Sequence, residues 1–193
     1  WREVLPSEIM CIPTICIANS RLIACQPNGA KKIETPPSSK QGYAIMIFRH
    51  FITIPGHGIQ PERKVHYRTC GSGPALLLVH QSPRSSREYE DLMRRWGQHF
   101  TCIAPDSPGF GHSDPFLLEP GIDDFARAIH QFLDAIGVKH CHGYGFHSGA
   151  VFLAHALRQQ PQRFHSVALG GYPAFTAEEM VGLADRYLAS FQP

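Results

Sequence analysis

The sequence predicts an α/β protein whose mostly parallel sheet is flanked by helices. Three observations support this class. Short apolar segments alternate with segments of helical periodicity along most of the 193 residues. Ala75 to Val79 is an unbroken apolar run, as expected of a strand buried on both faces of a parallel sheet. Gly145 and Gly149 bracket a turn between another predicted strand and an apolar helix, which indicates a tight strand-to-helix connection.

Each element follows from a local pattern in the chain. The capping-box spacing of Ser85 and Glu88 predicts the start of a helix that ends near Gly97. Apolar residues then recur at helical spacing from 122 to 136, before Gly137. The predicted strands lie at about 47–54, 63–69, 75–80, 101–104, 141–145 and 166–170. The first two predict an antiparallel hairpin, and the later strands alternate with helices.

The turn around His147 carries the most chemical information. Gly145 and Gly149 lie two residues either side of His147, where a sharp turn requires close backbone approach and leaves no space for a Cβ atom. Strand, turn and helix in this order resemble the nucleophile elbow of the α/β-hydrolases, with a histidine at the nucleophile position. A register with Ser148 as nucleophile would put larger residues where the glycines belong. Ser148 is therefore the hydroxyl beside the site.

Two upstream segments have the composition of the loops that face such an elbow. The segment His80-Gln81-Ser82-Pro83 follows the apolar strand and resembles the His-Gly-x-Pro oxyanion loop of this superfamily. The segment from Asp106 to Asp114 resembles its Asp-x-x-Gly-x-Gly-x-Ser loop. The three motifs stand in the family's order. The resemblance is to the cap-bearing branch of haloalkane dehalogenases and epoxide hydrolases, and it covers roughly residues 46–193.

The resemblance implies roles for the residues of these loops. The backbone N–H groups of Ser82 and Ser148 are expected to form an oxyanion hole. Gln81 replaces the family's glycine, and it either strains the loop or points its amide into the pocket. His80 and Asp106 are expected to hold the loops by hydrogen bonds and not to act on a substrate.

Three interpretations of His147 remain open from the sequence. A neutral imidazole at a helix N-terminus could act as a general base or as a nucleophile, because the helix dipole disfavours its protonation. Alternatively, the elbow keeps its fold without a working triad. In the family the acid follows the next strand and the histidine lies near the C-terminus, and the chain reaches Pro193 before either position. The sequence thus fits a fragment, a chain completed by a partner, or a remnant.

The predicted function is hydrolysis of a small ester-like or related electrophilic substrate, without a cofactor, in a pocket under a cap. The alternative is a catalytically inactive domain that binds a ligand or dimerises. The strand at 166–170 is expected to lie at an exposed edge, which would let a homodimer form through it. Residues 176–193 are expected to begin the helical cap.

The composition argues against several other classes of protein. A net charge of +2 without a basic run gives no argument for nucleic acid, and no apolar run is long enough to span a membrane. His140 and His142 alternate on one strand near His147, but no His-Glu-x-x-His or paired Cys-x-x-Cys accompanies them, so no metal is expected. The six widely spaced cysteines predict reduced thiols in a cytoplasmic protein.

Residues 1–45 resemble nothing else in the chain and include the linker-like Pro36 to Lys40. Leu22 to Cys25 resembles a bacterial lipobox, but Glu3 and Glu8 and an interrupted apolar stretch argue against a signal sequence. The expected organisation is therefore an extension over 1–45, a partial hydrolase core over 46–175, and the start of a cap from 176.

Overall fold

The computed structural model describes residues 14–18, 21–24 and 45–172. The described strands form one sheet: β1 (Thr14–Ala18), β2 (Arg21–Ala24), β3 (Phe48–Ile54), β4 (Arg63–Cys70), β5 (Ala75–Val79), β6 (Thr101–Pro105), β7 (Cys141–Phe146) and β8 (Phe164–Gly170). Their order in space is β2-β1-β8-β7-β5-β6-β4-β3. The helices are α1 (Glu90–Trp96), α2 (Ile122–Ala135) and α3 (Ser148–Gln159).

The centre of the sheet is parallel, and antiparallel strands flank it on both sides. β6, β5, β7 and β8 pair in parallel with one another. β4 pairs antiparallel with β6, and β3 continues the sheet as the other strand of the predicted hairpin. The six strands predicted between residues 47 and 170 are confirmed, with ends that differ by no more than two residues. The α/β class with flanking helices is therefore confirmed.

The prediction that the strand at 166–170 is an exposed edge is wrong. β1 pairs antiparallel along β8, from Thr14 opposite Gly170 to Ala18 opposite Ser166. β2 then pairs with β1 and forms the edge of the described sheet on this side. β8 thus has a partner strand on each side, and a homodimer through an open β8 edge loses its basis. The expected cap from 176 lies outside the described residues.

The sheet has a hydrophobic core on each face. In β5, Leu77 and Val79 pack in the core that α2 and α3 cover, and Leu76 and Leu78 pack in the core that α1 covers. All four side chains are buried, as the unbroken apolar run predicts. Cys102 on β6 and Cys141 on β7 lie buried on the two strands beside β5, and burial raises the pKa of each thiol to about 12.

The start of the first helix differs from the predicted capping box. A 3₁₀ turn, Ser86–Tyr89, precedes α1, and the Ser85 side chain accepts a hydrogen bond from the Arg87 amide at 3.4 Å. The Glu88 carboxylate does not reach back to Ser85 and instead binds Gln81. Helix α2 agrees with its predicted bounds, since it ends before Gly137, and α3 ends before Pro161.

We expect Cys16→Pro to accelerate hydrogen exchange at the backbone amides of β8. Cys16 lies between β2 and β8 in the sheet, opposite Ala168, and proline removes a donor from a ladder. The exchange rates in β8 should rise at least about tenfold, while those in β5 stay unchanged. Cys16→Ala is the control and should leave β8 protected. Unchanged β8 protection in Cys16→Pro would contradict the pairing of β1 with β8.

Candidate active site

The elbow is a strained turn between β7 and α3. His147 adopts φ 53° and ψ −118°, and no other non-glycine residue in the described part of the chain has a positive φ. This backbone conformation is costly for a side chain with a Cβ and persists only where surrounding contacts fix it. The His147 amide donates to the Gly170 carbonyl at 2.9 Å, and the His147 carbonyl accepts from Ala150 at 3.0 Å. These bonds tie the turn to β8 on one side and to α3 on the other.

The two glycines of the elbow are required by close backbone contacts. A Cβ atom at Gly149 would lie 2.1 Å from the carbonyl oxygen of Val79 and 2.6 Å from that of His80. A Cβ atom at Gly145 would lie 2.5 Å from the carbonyl oxygen of Gly149. Helix α3 therefore begins directly against the end of β5. This geometry confirms the turn that the glycine spacing predicts.

The His147 side chain is exposed at the start of α3. Its ring centroid lies 6.4 Å from that of Phe146, which is also exposed. Among the described residues, no side chain donates to or accepts from the His147 ring. The imidazole is thus presented to solvent at the elbow without an orienting carboxylate from this part of the chain.

The backbone amide of Ser82 already holds an oxygen atom at the elbow. It donates a hydrogen bond to Ser148 Oγ at 2.7 Å. Ser148 is the first residue of α3, where the backbone N–H groups have no acceptor within the helix. The fold therefore brings the loop after β5 and the start of α3 into contact. The two residues expected to supply the oxyanion donors, Ser82 and Ser148, are therefore in direct hydrogen-bond contact.

The Gln81 backbone and side chain are both held by Glu88. The backbone amide donates to Glu88 Oε1 at 3.0 Å, and the side-chain Nε2 lies 3.4 Å from Glu88 Oε2. The side-chain amide therefore lies against a carboxylate. Gln81 also has no positive φ, so the loop accepts a side chain where the family has glycine.

His80 joins two loops by hydrogen bonds on both ring nitrogens. Its Nε2 accepts from the Ser107 amide at 2.8 Å, so its Nδ1 carries the proton and donates to the Gln81 carbonyl at 2.9 Å. The side chain is only 1% exposed. Burial lowers the pKa of His80, which keeps the ring neutral in the tautomer that these bonds require.

Asp106 is the centre of a buried polar network. Its Oδ1 accepts from the backbone amide of Ser86 at 2.7 Å. Its Oδ2 accepts from the backbone amide of His112 at 2.9 Å and from the ring Nδ1 of His66 at 2.9 Å. Burial alone would raise the pKa of Asp106, but the hydrogen bonds from Ser86, His112 and His66 outweigh it and hold the pKa below its usual range. A Cβ atom at Gly111 would meet Asp106 Oδ2, so the glycine of that loop is also required.

The partner of Asp106 on β4 is a neutral histidine. His66 is fully buried, and its Nε2 accepts from Arg49 Nε at 3.1 Å, so its Nδ1 donates to Asp106. Burial lowers the pKa of His66 although the hydrogen bond to Asp106 opposes that shift. The contact is thus a hydrogen bond to a carboxylate and not an ion pair. Sequence reasoning missed His66 and Ser86, since neither belongs to a recognised motif.

The histidines considered for a metal make other contacts. His142 Nδ1 lies 2.8 Å from Ser166 Oγ, and His140 Nδ1 lies 3.1 Å from the Gln162 carbonyl. Within residues 45–172 no group of three or more His, Cys, Asp or Glu side chains is arranged to hold a metal ion. Of the helices that the structure describes, none combines the length and the apolar character needed to cross a membrane.

The strained elbow, the donors facing it and the parallel sheet define the class of an α/β-hydrolase core. The model of the alpha/beta hydrolase fold family matches residues 74–192, and the chain belongs to that family. The chain is 33% identical over 117 residues to haloalkane dehalogenase 2 of Mycobacterium tuberculosis (strain ATCC 25618 / H37Rv), covering 58% of this chain and 41% of the relative. It is 28% identical over 127 residues to 2-hydroxy-6-oxo-6-phenylhexa-2,4-dienoate hydrolase of Burkholderia cepacia, covering 63% and 44%.

Solved structures show the same fold. The epoxide hydrolase CorEH superposes with a TM-score of 0.56 at 24% identity, covering 62% of this chain and 40% of that chain. The haloalkane dehalogenase DbeA of Bradyrhizobium elkani USDA94 superposes with a TM-score of 0.54 at 24% identity, with the same coverage. The chain spans less than half the length of each of these four proteins. The predicted resemblance to the α/β-hydrolase superfamily is confirmed.

Gly149→Ala should destabilise the fold because its Cβ would overlap the Val79 carbonyl. We expect the free energy of unfolding in urea to fall by about 3 kcal/mol or more. Gly121→Ala is the matched control, since its Cβ would lie 3.7 Å from Asp124 Oδ2 at a negative φ. That variant should lose less than about 1 kcal/mol. Equal losses in the two variants would contradict the close approach of α3 to β5.

The stability of the fold should fall in mild acid. Burial lowers the pKa values of His66, His80 and His130, so the unfolded chain takes up protons on these residues before the folded protein does. Their contribution is fully present above the unfolded pKa of about 6.5 and is lost as the pH falls below it. Urea unfolding between about pH 7.5 and pH 5 measures this slope. His130→Gln should reduce the slope, because it removes one of these buried imidazoles. A flat profile in the parent would refute this account.

Proposed function

We propose that this protein hydrolyses a small ester-like or related electrophilic substrate at the elbow. The observation that carries the proposal is the 2.7 Å hydrogen bond from the Ser82 amide to Ser148 Oγ. It places an oxygen atom where an N–H group of the oxyanion loop can bind it. A substrate carbonyl oxygen would take this place, which supports hydrolysis of a bond next to a carbonyl group.

The oxyanion hole in this proposal consists of the backbone N–H groups of Ser82 and Ser148. Attack on a carbonyl carbon shifts an electron pair onto its oxygen, and fixed donors aimed at that oxygen stabilise the charge as it develops. Ser148 lies at the N-terminus of α3, where the helix dipole adds to this stabilisation. One such donor is typically worth about 10²–10³ in rate.

His147 acts as the general base in this mechanism. Its exposed imidazole takes a proton from water, and the oxygen of that water adds to the substrate carbonyl carbon. The carbonyl electron pair moves to the oxygen in the hole and then returns, which breaks the bond to the leaving alkoxide. The imidazolium gives its proton to that alkoxide, so the ring is neutral again at the end. A covalent role for His147 as nucleophile would require a second hydrolytic step.

The Ser148 hydroxyl occupies the position of the substrate oxygen in the free protein. In the free protein it satisfies the Ser82 amide, and the substrate oxygen displaces it. His80 and Asp106 are positioning residues, because His80 binds Gln81 and Ser107 and Asp106 binds Ser86, which fixes the chain before and after Ser82. We further propose that the expected cap from 176 closes over the site and that the protein is cytoplasmic. The free, buried thiols of Cys70, Cys102 and Cys141 support a reducing compartment.

The hydrolysis of short p-nitrophenyl acyl esters tests the proposal. His147→Ala should lower kcat/KM by about a hundredfold or more, because a positioned general base contributes about 10²–10⁴. His57→Ala is the control, because it removes an exposed imidazole away from the elbow. The two variants have the same number of histidines, so nonspecific reaction of surface imidazoles with the ester is equal in both. Ser148→Ala should lower KM and leave kcat within a few-fold, because the substrate no longer displaces a hydroxyl.

Equal loss in His147→Ala and His57→Ala would place the activity away from the elbow and overturn the proposal. A parent protein that turns over no ester, with none gained in His147→Ser, would favour the alternative of an inactive binding domain.

A further inference from the structure

We infer that Arg63 forms a buried binding site for one small monovalent anion, separate from the elbow. Arg63 is the first residue of β4, and it is 5% exposed. The ionised head of an arginine is rarely buried without a partner of opposite charge, because removal of a charge from water is costly. The hydrogen-bond acceptors that the protein offers this guanidinium therefore determine whether a further acceptor must bind beside it.

The guanidinium is only partly satisfied by the protein. Its Nη2 donates to Gln131 Oε1 on α2 at 2.9 Å, and its Cζ lies 4.6 Å from the ring centroid of Phe116. Its Nη1 is buried and has no hydrogen-bond partner among the described residues. Because an unmade hydrogen bond from a buried charged donor is destabilising, Nη1 requires an acceptor that the described side chains do not supply.

The nearby carboxylates are engaged elsewhere. In the described part of the chain no Asp or Glu oxygen lies within 4.0 Å of the Arg63 guanidinium. Asp114 acts on Arg63 through its charge, but its Oδ2 accepts from the Lys64 amide at 2.8 Å. Both oxygens of Asp106 are bound within its own network. A positive charge without a direct counter-charge favours an anion over a water molecule as the acceptor.

A small cavity adjoins Arg63 on the α2 face of the sheet. Its volume is about 20 Å³, which is room for one particle the size of a water molecule. The walls are mainly apolar side chains of β3, β4 and α2: Ile54, Val65, Phe125, Ile129 and Phe132. Asp106, Ser107 and Pro108 close one side, and the Asp106 carboxylate there is already bound by Ser86, His112 and His66. His147, Ser148 and Ser82 do not line the cavity.

The size and lining of the cavity define the class of ligand. Among anions, only a monatomic ion such as chloride approaches this size, while sulfate, phosphate and organic carboxylates exceed the space. The apolar walls suit a weakly hydrated monovalent ion that accepts from Arg63 Nη1. An anion there would bridge β4, α2 and the loop at Ser107, and would thereby stabilise the folded state.

Urea unfolding in sodium chloride and in sodium gluconate, at equal ionic strength, tests the inference. Chloride should raise the ratio of folded to unfolded protein in a saturable way, by about a hundredfold at a hundred times the Kd, and gluconate should not. Arg63→Met should abolish the difference between the two salts. The control is Arg127→Met, which removes a half-exposed arginine paired with Asp124 and should keep the chloride response.

Chloride-35 NMR provides a direct readout on the unmodified protein, which does not depend on the folding of a variant. The parent should broaden the chloride line, bromide should reverse the broadening by competition, and Arg63→Met should remove it. A line that the parent does not broaden, or equal stabilisation by chloride and gluconate, would overturn the inference and assign the cavity to a water molecule. A full chloride response in folded Arg63→Met would overturn it as well.

Discussion

The candidate site depends on one close contact between backbones. Helix α3 begins so near the end of β5 that neither Gly149 nor Gly145 has space for a Cβ atom. This contact forces the turn at His147 into a positive φ, and the hydrogen bonds to Gly170 and Ala150 hold it there. The same contact brings Ser148 against the loop after β5, which is why the Ser82 amide finds an oxygen at 2.7 Å. The geometry of the site is therefore a consequence of helix packing on the sheet.

Electrostatics fix the loops that surround this contact. Asp106 remains ionised in the core because it accepts hydrogen bonds from β4, from the 3₁₀ turn before α1 and from its own loop. The neutral ring of His80 then ties that loop to the one that carries Ser82. These buried polar groups are satisfied at close range, so each loop has a defined place relative to the elbow. Arg63 differs, since its charge is buried with one nitrogen unsatisfied.

The local patterns predicted most of the described core and the position of the elbow. Strand runs such as Ala75–Val79 and the glycines around His147 are readable because burial on both faces and close approach restrict the residue types there. The pairing of β1 with β8 was missed, because a short strand far away in the chain carries no signal of its partner. The role of Glu88 was also misjudged, since spacing alone cannot tell a helix cap from a contact with Gln81. The proposed functions of His147, Ser148 and Ser82 remain predictions.

The sequence by itself determined the order of strands and helices between residues 47 and 170, the place of the elbow and the resemblance to the alpha/beta hydrolase fold family. These features are local, because periodicity and glycine spacing act within a few turns of the chain. Only the tertiary structure decided which atoms meet: Ser148 Oγ with the Ser82 amide, His66 with Asp106, and the cavity beside Arg63. Each of these contacts joins residues that lie far apart along the chain. Their distances and burial follow from how the helices pack on the sheet, which no short segment encodes.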